Sequence, residues 1–174
     1  MALIQSVRGF NPKFGKACFL APNATVVGEV IVGDYCSFWF HTVVRGDVNK
    51  ITIGDKTNVQ DGVIIHCTYQ KYATSIGNNV SLGHGAIIHG CTIEDEVLVG
   101  MGAIILDGAV IRKGSVIAAG AVVLSGMVTE PGWIYAGMPA KKIKQVGEEL
   151  ERVVTGTPDR YIKYANWYSD SENG

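Results

Sequence analysis

Large aliphatic residues recur at every sixth position through the second half of the chain. The positions are Ile93, Val99, Ile105, Ile111, Ile117 and Val123. A small or β-branched residue follows four positions after each of the first five, at Val97, Ala103, Ala109, Ser115 and Ala121. Each hexad therefore predicts one short strand, whose large residue points inward, and one corner, where the small residue lets the chain turn tightly.

The same period occurs in three earlier blocks of the chain. These blocks contain Leu20, Val26, Val32, Phe38 and Val44, then Ile53, Val59 and Ile65, then Ile76, Leu82 and Ile88. Breaks of nine, eleven and five residues follow Val44, Ile65 and Ile88. A period of six over more than 100 residues is typical of a hexapeptide parallel β-helix, in which three hexads close a triangular coil. We predict this all-β fold, with successive coils about 4.8 Å apart.

The last part of the chain leaves the repeat and is predicted to be helical. Residues 148–154 indicate a short helix, and Thr157 and Pro158 then indicate the N-cap and first position of a second helix through residues 159–168. We therefore predict a β-helix over residues 1–145 and a C-terminal helical segment over residues 146–174, packed on the β-helix. A doubly wound α/β fold is disfavoured, because no amphipathic helices of about 10–15 residues separate the strands.

The hexad register assigns the polar residues to faces of the prism. Arg45, His66 and His89 each follow an inward aliphatic residue of the same face, so they are predicted to form one outward column. In that column His66 and His89 lie about 4.8 Å apart and can bind one ion. Asp61 and His84 are predicted to form a second column on the adjoining face, where Asp61 can fix the ring tautomer of His84.

Within one chain His84 is predicted to lie too far round the prism to reach the ion held by His66 and His89. A threefold assembly brings His84 of a neighbouring subunit to that ion. Three imidazoles and an open position for water are the pattern of a catalytic zinc site. The sequence thus predicts a homotrimer with a shared Zn²⁺, although Co²⁺ and Fe²⁺ suit the same ligands.

Composition and charge argue against two classes of partner, nucleic acids and membranes. The formal net charge of −1 gives no electrostatic case for nucleic acid, and no apolar run approaches the roughly 20 residues of a membrane span. The amino-terminal residues lack the pattern of a signal peptide, so we expect a cytoplasmic protein. The four cysteines form no CxxC pair and are expected to be reduced thiols.

Three motifs resemble those of the gamma-class carbonic anhydrases and their bacterial homologues. They are "RGDVNKITIGDKTNVQDGVIIH" at residues 45–66, "GHGAIIHGC" at 83–91 and the less specific "GMPAKKIK" at 137–144. The resemblance covers about residues 10–145. It implies a left-handed β-helix, a homotrimer, and CO₂ and bicarbonate as substrate and product.

The resemblance also assigns roles to individual residues. It implies that His66, His84 and His89 are the zinc ligands and that Arg45 and Asp47 form an ion pair between subunits. The other implied site residues are Arg45 near bicarbonate, Asn58 near the substrate, Gln60 and Asp61 beside the metal-bound water, and Tyr161, or else Tyr164, from the C-terminal helix. A three-histidine zinc site lowers the pKa of its water to about 7, so hydroxide is available to attack CO₂. Gln60 can orient that hydroxide, and Arg45 can hold the anion that forms.

The chain departs from the family pattern after the first histidine. Prototype members carry a long acidic loop there, with a glutamate that transfers protons to solvent. The corresponding stretch here, "CTYQKYATS" at residues 67–75, is short and contains no carboxylate. We therefore expect the hydration activity to be weak.

Two other functions fit the sequence. One is a hexapeptide acyltransferase or an acyl-CoA thioesterase, in which one histidine acts as a general base and the other two have no assigned purpose. The other is a non-catalytic metal-binding or scaffold trimer. "GMPAKK" does not separate them, because acyltransferases of the hexapeptide type also leave the repeat in this way.

Overall fold

Short strands joined by turns, followed by one helix, make up residues 1–171, the part of the chain that the computed structural model describes. The strands are β1 (Leu3–Gln5), β2 (Lys13–Phe14), β3 (Phe19–Leu20), β4 (Thr25–Val32), β5 (Ser37–Phe38), β6 (Val43–Ile53), β7 (Asn58–Val59), β8 (Ile64–His66), β9 (Thr74–Ile76), β10 (Ser81–Leu82), β11 (Ile87–His89), β12 (Thr92–Ile93), β13 (Leu98–Val99), β14 (Ile104–Ile105), β15 (Val110–Ile111), β16 (Val116–Ile117), β17 (Val122–Val123), β18 (Trp133–Ala136) and β19 (Lys141–Gln145). One helix, α1 (Glu148–Ser171), follows them.

The strands stack as a parallel solenoid with three faces. One sheet, in the order β19-β18-β16-β13-β10-β7-β5-β3, forms the first face. The second sheet covers the other two, because the long strand β6 pairs with β8 at one end and with β9 at the other. From β7 to β17 every third strand returns to the same face, so the predicted triangular coil is confirmed. The left-handed sense of the coil and the trimer stay predictions.

We name the faces by what they carry. The helix face contains β3, β5, β7, β10, β13, β16 and β18, the histidine face contains β8, β11, β14 and β17, and the third face contains β9, β12 and β15. The chain visits them in that order, so each coil passes a corner between the helix face and the histidine face. Two of the candidate site residues, Asp61 and His84, lie at these corners.

A single apolar core fills the prism. The six aliphatic residues from Ile93 to Val123 are at most 1% exposed, and the small residues that follow them, such as Ala103 and Ser115, are fully buried. Because each coil buries its aliphatic residues only against its neighbours, stability depends on stacking. The predicted inward positions of the hexads are confirmed, except that Leu20 near the first coil is only partly buried.

The C-terminal segment forms one helix, not the two predicted. Val154, Thr157, Pro158 and Ala165 are all buried, so one continuous stripe packs against the helix face on both sides of the proline. The Thr157 hydroxyl donates to the Val153 carbonyl (2.6 Å) instead of capping a new helix. Residues 172–174 of the predicted segment lie outside the described residues. Among residues 1–171 no helix is long and apolar enough to cross a membrane.

The solenoid ends in a change of strand direction. Strand β19 pairs antiparallel with β18, whereas the other ladders are parallel. All five residues of β19 are exposed, and Lys141, Lys142 and Lys144 are among them. Lys142 lies over the ring of Trp133, with its Nζ 3.5 Å from the ring centre, and pairs with Glu130 at 2.6 Å.

Candidate metal centre

His66 and His89 lie side by side on the histidine face, as the hexad register predicts. Each is the last residue of its strand, β8 or β11, and the two are directly paired in the parallel ladder. The Nδ1 of His66 is 3.1 Å from the Nε2 of His89. Two ligands of a tetrahedral ion with metal–nitrogen bonds of about 2.0–2.1 Å lie about 3.3 Å apart, so the observed spacing suits a shared metal.

Carboxylates hold the remaining nitrogen of each ring. The Nε2 of His66 donates to Asp47 Oδ1 (3.1 Å), and the Nδ1 of His89 donates to Asp107 Oδ1 (2.6 Å). Since an ionised carboxylate only accepts hydrogen bonds, each ring carries its proton on that side. The two nitrogens that face each other therefore both present lone pairs. A cation between them satisfies both, and this donor arrangement fits a metal ion.

The titration behaviour of these groups agrees with that arrangement. Burial lowers the pKa of His66, and this outweighs the opposite effect of Asp47, so the ring is neutral at pH 7. Burial raises the pKa of Asp47 and of Asp107, but in both cases hydrogen bonds to the carboxylate outweigh it and the net shift is downward. The donors are Arg45 and His66 for Asp47, and His89 and Thr68 for Asp107. A neutral His66 ring beside an ionised Asp47 is the form that binds a divalent metal.

Arg45 lies one coil before His66, in the predicted column. Its Nη1 is 2.5 Å from Asp47 Oδ2, so the ion pair that the resemblance implies between subunits forms within one chain here. Asp47 thus contacts both Arg45 and His66. The Arg45 side chain is 45% exposed and keeps further N–H donors free for an anion. Its contact with a second subunit stays a prediction.

His84 and Asp61 form the second predicted column, at the corner between the helix face and the histidine face. The Nδ1 of His84 is 2.8 Å from Asp61 Oδ2, and the other oxygen of Asp61 accepts the backbone N–H of Phe40 (3.1 Å). Both corners turn through a left-handed glycine, Gly62 or Gly85, a conformation that other residues rarely adopt. The contact leaves Nε2 of His84 directed away from its own carboxylate.

One chain does not bring the three histidines together. Among residues 1–171, no group of three or more histidine, cysteine, aspartate or glutamate side chains is arranged to hold a metal by itself. His66 and His89 supply two nitrogens, and His84 belongs to the neighbouring corner. The fourth histidine, His41, contacts Asn23 instead. Any three-histidine site therefore needs a second copy of the chain.

Gln60 and Asn58 lie on or next to strand β7 of the helix face, and both side chains are buried. Gln60 Nε2 donates to Asn58 Oδ1 (3.0 Å), and Asn58 Nδ2 donates to Ser81 Oγ (2.8 Å). Asn58 is 1% exposed and Gln60 is 6% exposed. The network fixes the orientation of the Gln60 amide. Asn58 has almost no surface for direct contact with a substrate, so its geometry suits a positioning residue.

Tyr161 lies where the helix passes the His84 corner. Its ring packs edge-on against Trp39, with ring centres 5.4 Å apart. A cleft of about 330 Å³ has Tyr161 and Tyr164 on the helix side and Asp61 and His84 on the corner side. Burial, with smaller effects of Asp61 and Tyr164, raises the pKa of Tyr161 to about 12, so the phenol stays protonated. Of the two tyrosines considered, Tyr161 has the Trp39 contact.

Sequence reasoning missed two residues of this centre, Asp107 and Thr68. Asp107 follows the inward Ile105 by two positions, so the register places it one coil beyond Gly90 and diagonally beside His89. The hexad spacing therefore contains the information that places Asp107 beside His89. Thr68 lies in the break after His66, where the hexad period gives no position, and its contact with Asp107 had no sequence signal.

Comparison with known proteins places the chain in a family. The family model described as "Bacterial transferase hexapeptide (six repeats)" matches residues 90–125. A Methanocaldococcus jannaschii protein named "Probable carbonic anhydrase" is 53% identical over 83% of this chain and 90% of that protein. "Gamma carbonic anhydrase 2, mitochondrial" of Arabidopsis thaliana is 39% identical over 94% of this chain, which spans 60% of the plant protein. The chain belongs to the gamma-class carbonic anhydrase family.

A solved structure with the same fold is named as a transferase. A hexapeptide transferase family protein from Anaplasma phagocytophilum is 36% identical, with a TM-score of 0.91 over 95% of this chain and 98% of that one. This chain and that transferase-family protein thus share one fold. The prediction that the chain is an enzyme of the gamma class is confirmed by its relatives.

Proposed function

We propose that the chain catalyses the reversible hydration of CO₂ to bicarbonate in a homotrimer with a metal at each subunit interface. His66 and His89 of one subunit and His84 of the next would hold the ion. The observation that carries the proposal is the pair of facing lone-pair nitrogens, 3.1 Å apart, whose rings are pinned by Asp47 and Asp107.

The outer surface of the histidine face supports the assembly. A ladder of apolar residues runs up this face beside the histidine column, at Val43, Ile64, Ile87, Ile104 and Val122. Ile64 is 43% exposed, and Met101, one coil beyond His84, is 61% exposed. Apolar surface next to two half-sites favours burial against another copy. A cyclic trimer would place the His84 corner of each chain against the histidine face of the next.

Zinc suits this ligand set best among abundant metals, and cobalt or ferrous iron also suit it. With three imidazole ligands, zinc would supply a water acidic enough to lose its proton near pH 7. The chain's own contribution would be to orient the three rings. Asp47, Asp61 and Asp107 each take the proton-bearing nitrogen of one histidine and leave the other nitrogen for the ion.

Arg45, Gln60 and Tyr161 would act on the substrate side. The free N–H groups of Arg45 would hold the bicarbonate anion beside the histidine face. The amide nitrogen of Gln60 is bound to Asn58, which leaves its carbonyl oxygen to accept a hydrogen bond from the attacking water. The protonated phenol of Tyr161 would donate a hydrogen bond in the cleft beside His84.

The expected rate is low, because the loop after His66 offers no proton carrier. Residues 67–73 contain two tyrosines and a lysine but no carboxylate. Proton loss to solvent would then depend on buffer molecules. We expect the hydration rate to rise with buffer concentration and to level off at a lower value than in family members with an acidic loop.

Stopped-flow measurement of CO₂ hydration tests the proposal. The protein is purified without chelators, its metal content is measured, and the initial rate is compared with that of buffer and of the His84→Ala variant. We expect a rate above buffer that disappears in His84→Ala and after chelation. A zinc-loaded trimer with no rate above buffer would contradict the proposal.

An acyltransferase is the second candidate, because a structural neighbour at 36% identity is named a hexapeptide transferase. A transferase would use the imidazole of one histidine as a general base and would not need the facing pair of nitrogens. Turnover of acyl-CoA that survives chelation would favour this function. Loss of all activity on chelation would favour the hydration reaction.

A further inference from the structure

We propose that Asp107 and Thr68 together are positioning residues that set the tautomer and orientation of His89. The inference rests on the proposed metal centre. It assigns a purpose to the short loop after His66, for which the family resemblance supplies no role. We call Asp107 and Thr68 the clamp. The clamp acts on a ligand histidine and touches no substrate.

Asp107 uses both of its carboxylate oxygens. Oδ1 accepts the Nδ1–H of His89 at 2.6 Å, and Oδ2 accepts the hydroxyl of Thr68 at 2.7 Å. With one partner on each oxygen, rotation of the carboxylate would break a hydrogen bond. The imidazole of His89 is therefore held with Nε2 toward His66. Asp47 and Asp61 are also held on both oxygens, but their second partners are Arg45 and a backbone N–H, whereas Asp107 is held by a side chain of the loop after His66.

The loop that supplies Thr68 is closed on itself. The backbone N–H of Thr68 donates to Tyr72 (2.9 Å), and the N–H of Lys71 donates back to Thr68 (3.2 Å). Thr68 thus occupies the start of a tight turn and is not a free loop residue. The turn begins two residues after His66, so a loop that leaves one ligand histidine reaches across to orient the other.

Two glycines make room for this contact. A side chain at Gly90 would collide with the Asp107 carboxylate and with Cβ of Tyr72. At Gly108 a Cβ would lie 3.1 Å from the Tyr72 ring. The absence of both side chains lets Asp107 reach His89 diagonally across the ladder while Tyr72 covers the turn. The arrangement is a packed unit around one imidazole.

Two measurements test the clamp on Asp107→Ala, Asp107→Asn and Thr68→Val. The first is ¹⁵N NMR of the His89 ring in metal-free protein, which reports which nitrogen carries the proton. The second is zinc affinity by competition with a chromophoric chelator. Asp95→Asn is the matched control, because Asp95 also accepts a hydrogen bond, from the Asn78 backbone (2.7 Å), at a corner remote from the histidines.

We expect the wild-type ring to carry its proton on Nδ1 and Asp107→Ala to lose that preference. Zinc affinity should fall about 10- to 100-fold in Asp107→Ala, the usual effect of removing a hydrogen-bond partner of a metal ligand. Asp107→Asn, which keeps an acceptor oxygen, should restore part of the loss, and Thr68→Val should show a smaller fall. Asp95→Asn should leave both readouts unchanged.

The two proposals can fail separately. If the wild-type protein binds no zinc, the metal centre is wrong, and the NMR measurement still decides the clamp. An unchanged His89 tautomer in Asp107→Ala overturns the clamp even if zinc binds. A fall in thermal stability with unchanged tautomer and zinc affinity would mean that Asp107 only holds the loop.

Discussion

Each candidate ligand histidine has a carboxylate partner of its own. Asp47 bonds to His66, Asp61 to His84 and Asp107 to His89, at 3.1, 2.8 and 2.6 Å. Each carboxylate selects one ring nitrogen as the proton-bearing one and leaves the other available for a metal. The arrangement is repeated three times by residues from different coils. At this scale the site is a set of three oriented imidazoles.

The hexad register predicts one of these pairs and misses two. Asp61 and His84 occupy the same position in successive coils, so they are in direct register. Asp107 is diagonal to His89, and its contact depends on the lack of a side chain at Gly90. Asp47 lies on the long strand β6, where one break in the period shifts the positions and brings it to His66. Register places Asp107 diagonally beside His89 but does not show that the contact forms, and it gives no position for residues in breaks.

The phenol of Tyr161 yields a prediction for alkaline unfolding. Its pKa of about 12 in the folded protein exceeds the ordinary value of 10, so stability is fully present below pH 10 and is lost as pH rises toward 12. After allowance for partial exposure, the loss is about 1–2 kcal/mol. Denaturant unfolding between pH 9 and 12, in about half-unit steps, measures it against Tyr161→Phe.

Tyr161→Phe keeps the ring contact with Trp39 and should lose this part of the pH dependence. Tyr164→Phe, on the next turn of the same helix, is the control for removing a tyrosine hydroxyl. Parallel stability curves for the wild type and Tyr161→Phe would contradict the burial of the phenol.

At the scale of elements, the strands follow the sequence closely and the helix does not. The aliphatic period defines the strands because each inward residue is buried by the coils on either side. The helix boundary was wrong because Thr157 and Pro158 have the local chemistry of a helix start. Packing of the stripe from Val154 to Ala165 on the prism outweighs that local preference. A local sequence pattern carries no information about packing against strands that are distant in the sequence.

Thr157 gives a test of the continuous helix. Its hydroxyl donates to the Val153 carbonyl and accepts from Arg160 (both 2.6 Å) while 8% exposed. Thr157→Val should lower the free energy of unfolding by about 1–2 kcal/mol, because both hydrogen bonds of this buried hydroxyl, to Val153 and from Arg160, are lost. Thr155→Val is the matched control, since Thr155 makes the same bond to Glu151 (3.0 Å) on the exposed side.

The Thr155→Val change should stay within about 0.5 kcal/mol, as is usual for surface positions. Urea unfolding of the two variants under identical conditions gives the comparison. Equal losses at both positions would mean that the Thr157 side of the helix is not packed on the prism.

At the scale of the whole molecule, the half-sites lie at different places on one prism. His66 and His89 belong to the histidine face and His84 to the corner beside it. The sequence predicts this separation, because counting hexads in threes fixes the face of each histidine. The sequence does not predict that Gln60 and Asn58 are buried and hydrogen-bonded in a network with Ser81. Completion of the site by a second copy stays a proposal.

Mixing two inactive variants tests the shared site. His66→Ala and His84→Ala chains should each be inactive alone, because every interface lacks one ligand. When they are co-expressed in equal amounts, about one interface in four joins an intact His66–His89 face to an intact His84 corner. We expect zinc content and hydration rate to recover to about one quarter of the wild-type values.

The control is a mixture of His66→Ala with His89→Ala chains. Neither carries an intact histidine face, so no interface of that mixture can be complete. Recovery in the control, or none in the test mixture with trimers present, would contradict a site built from two chains.

The antiparallel strand β19 also affects whether the solenoid can be extended at the end of the helix face. A stack of similar coils has no intrinsic limit, since the open rung at its end can accept a further strand from another chain. Here that rung is occupied by a reversed segment with three lysines, whose like charges repel a second copy. Addition of a further strand beside β18 is therefore disfavoured at this end of the helix face. The exposed lysines of β19 thus protect this edge against edge-to-edge pairing with another chain.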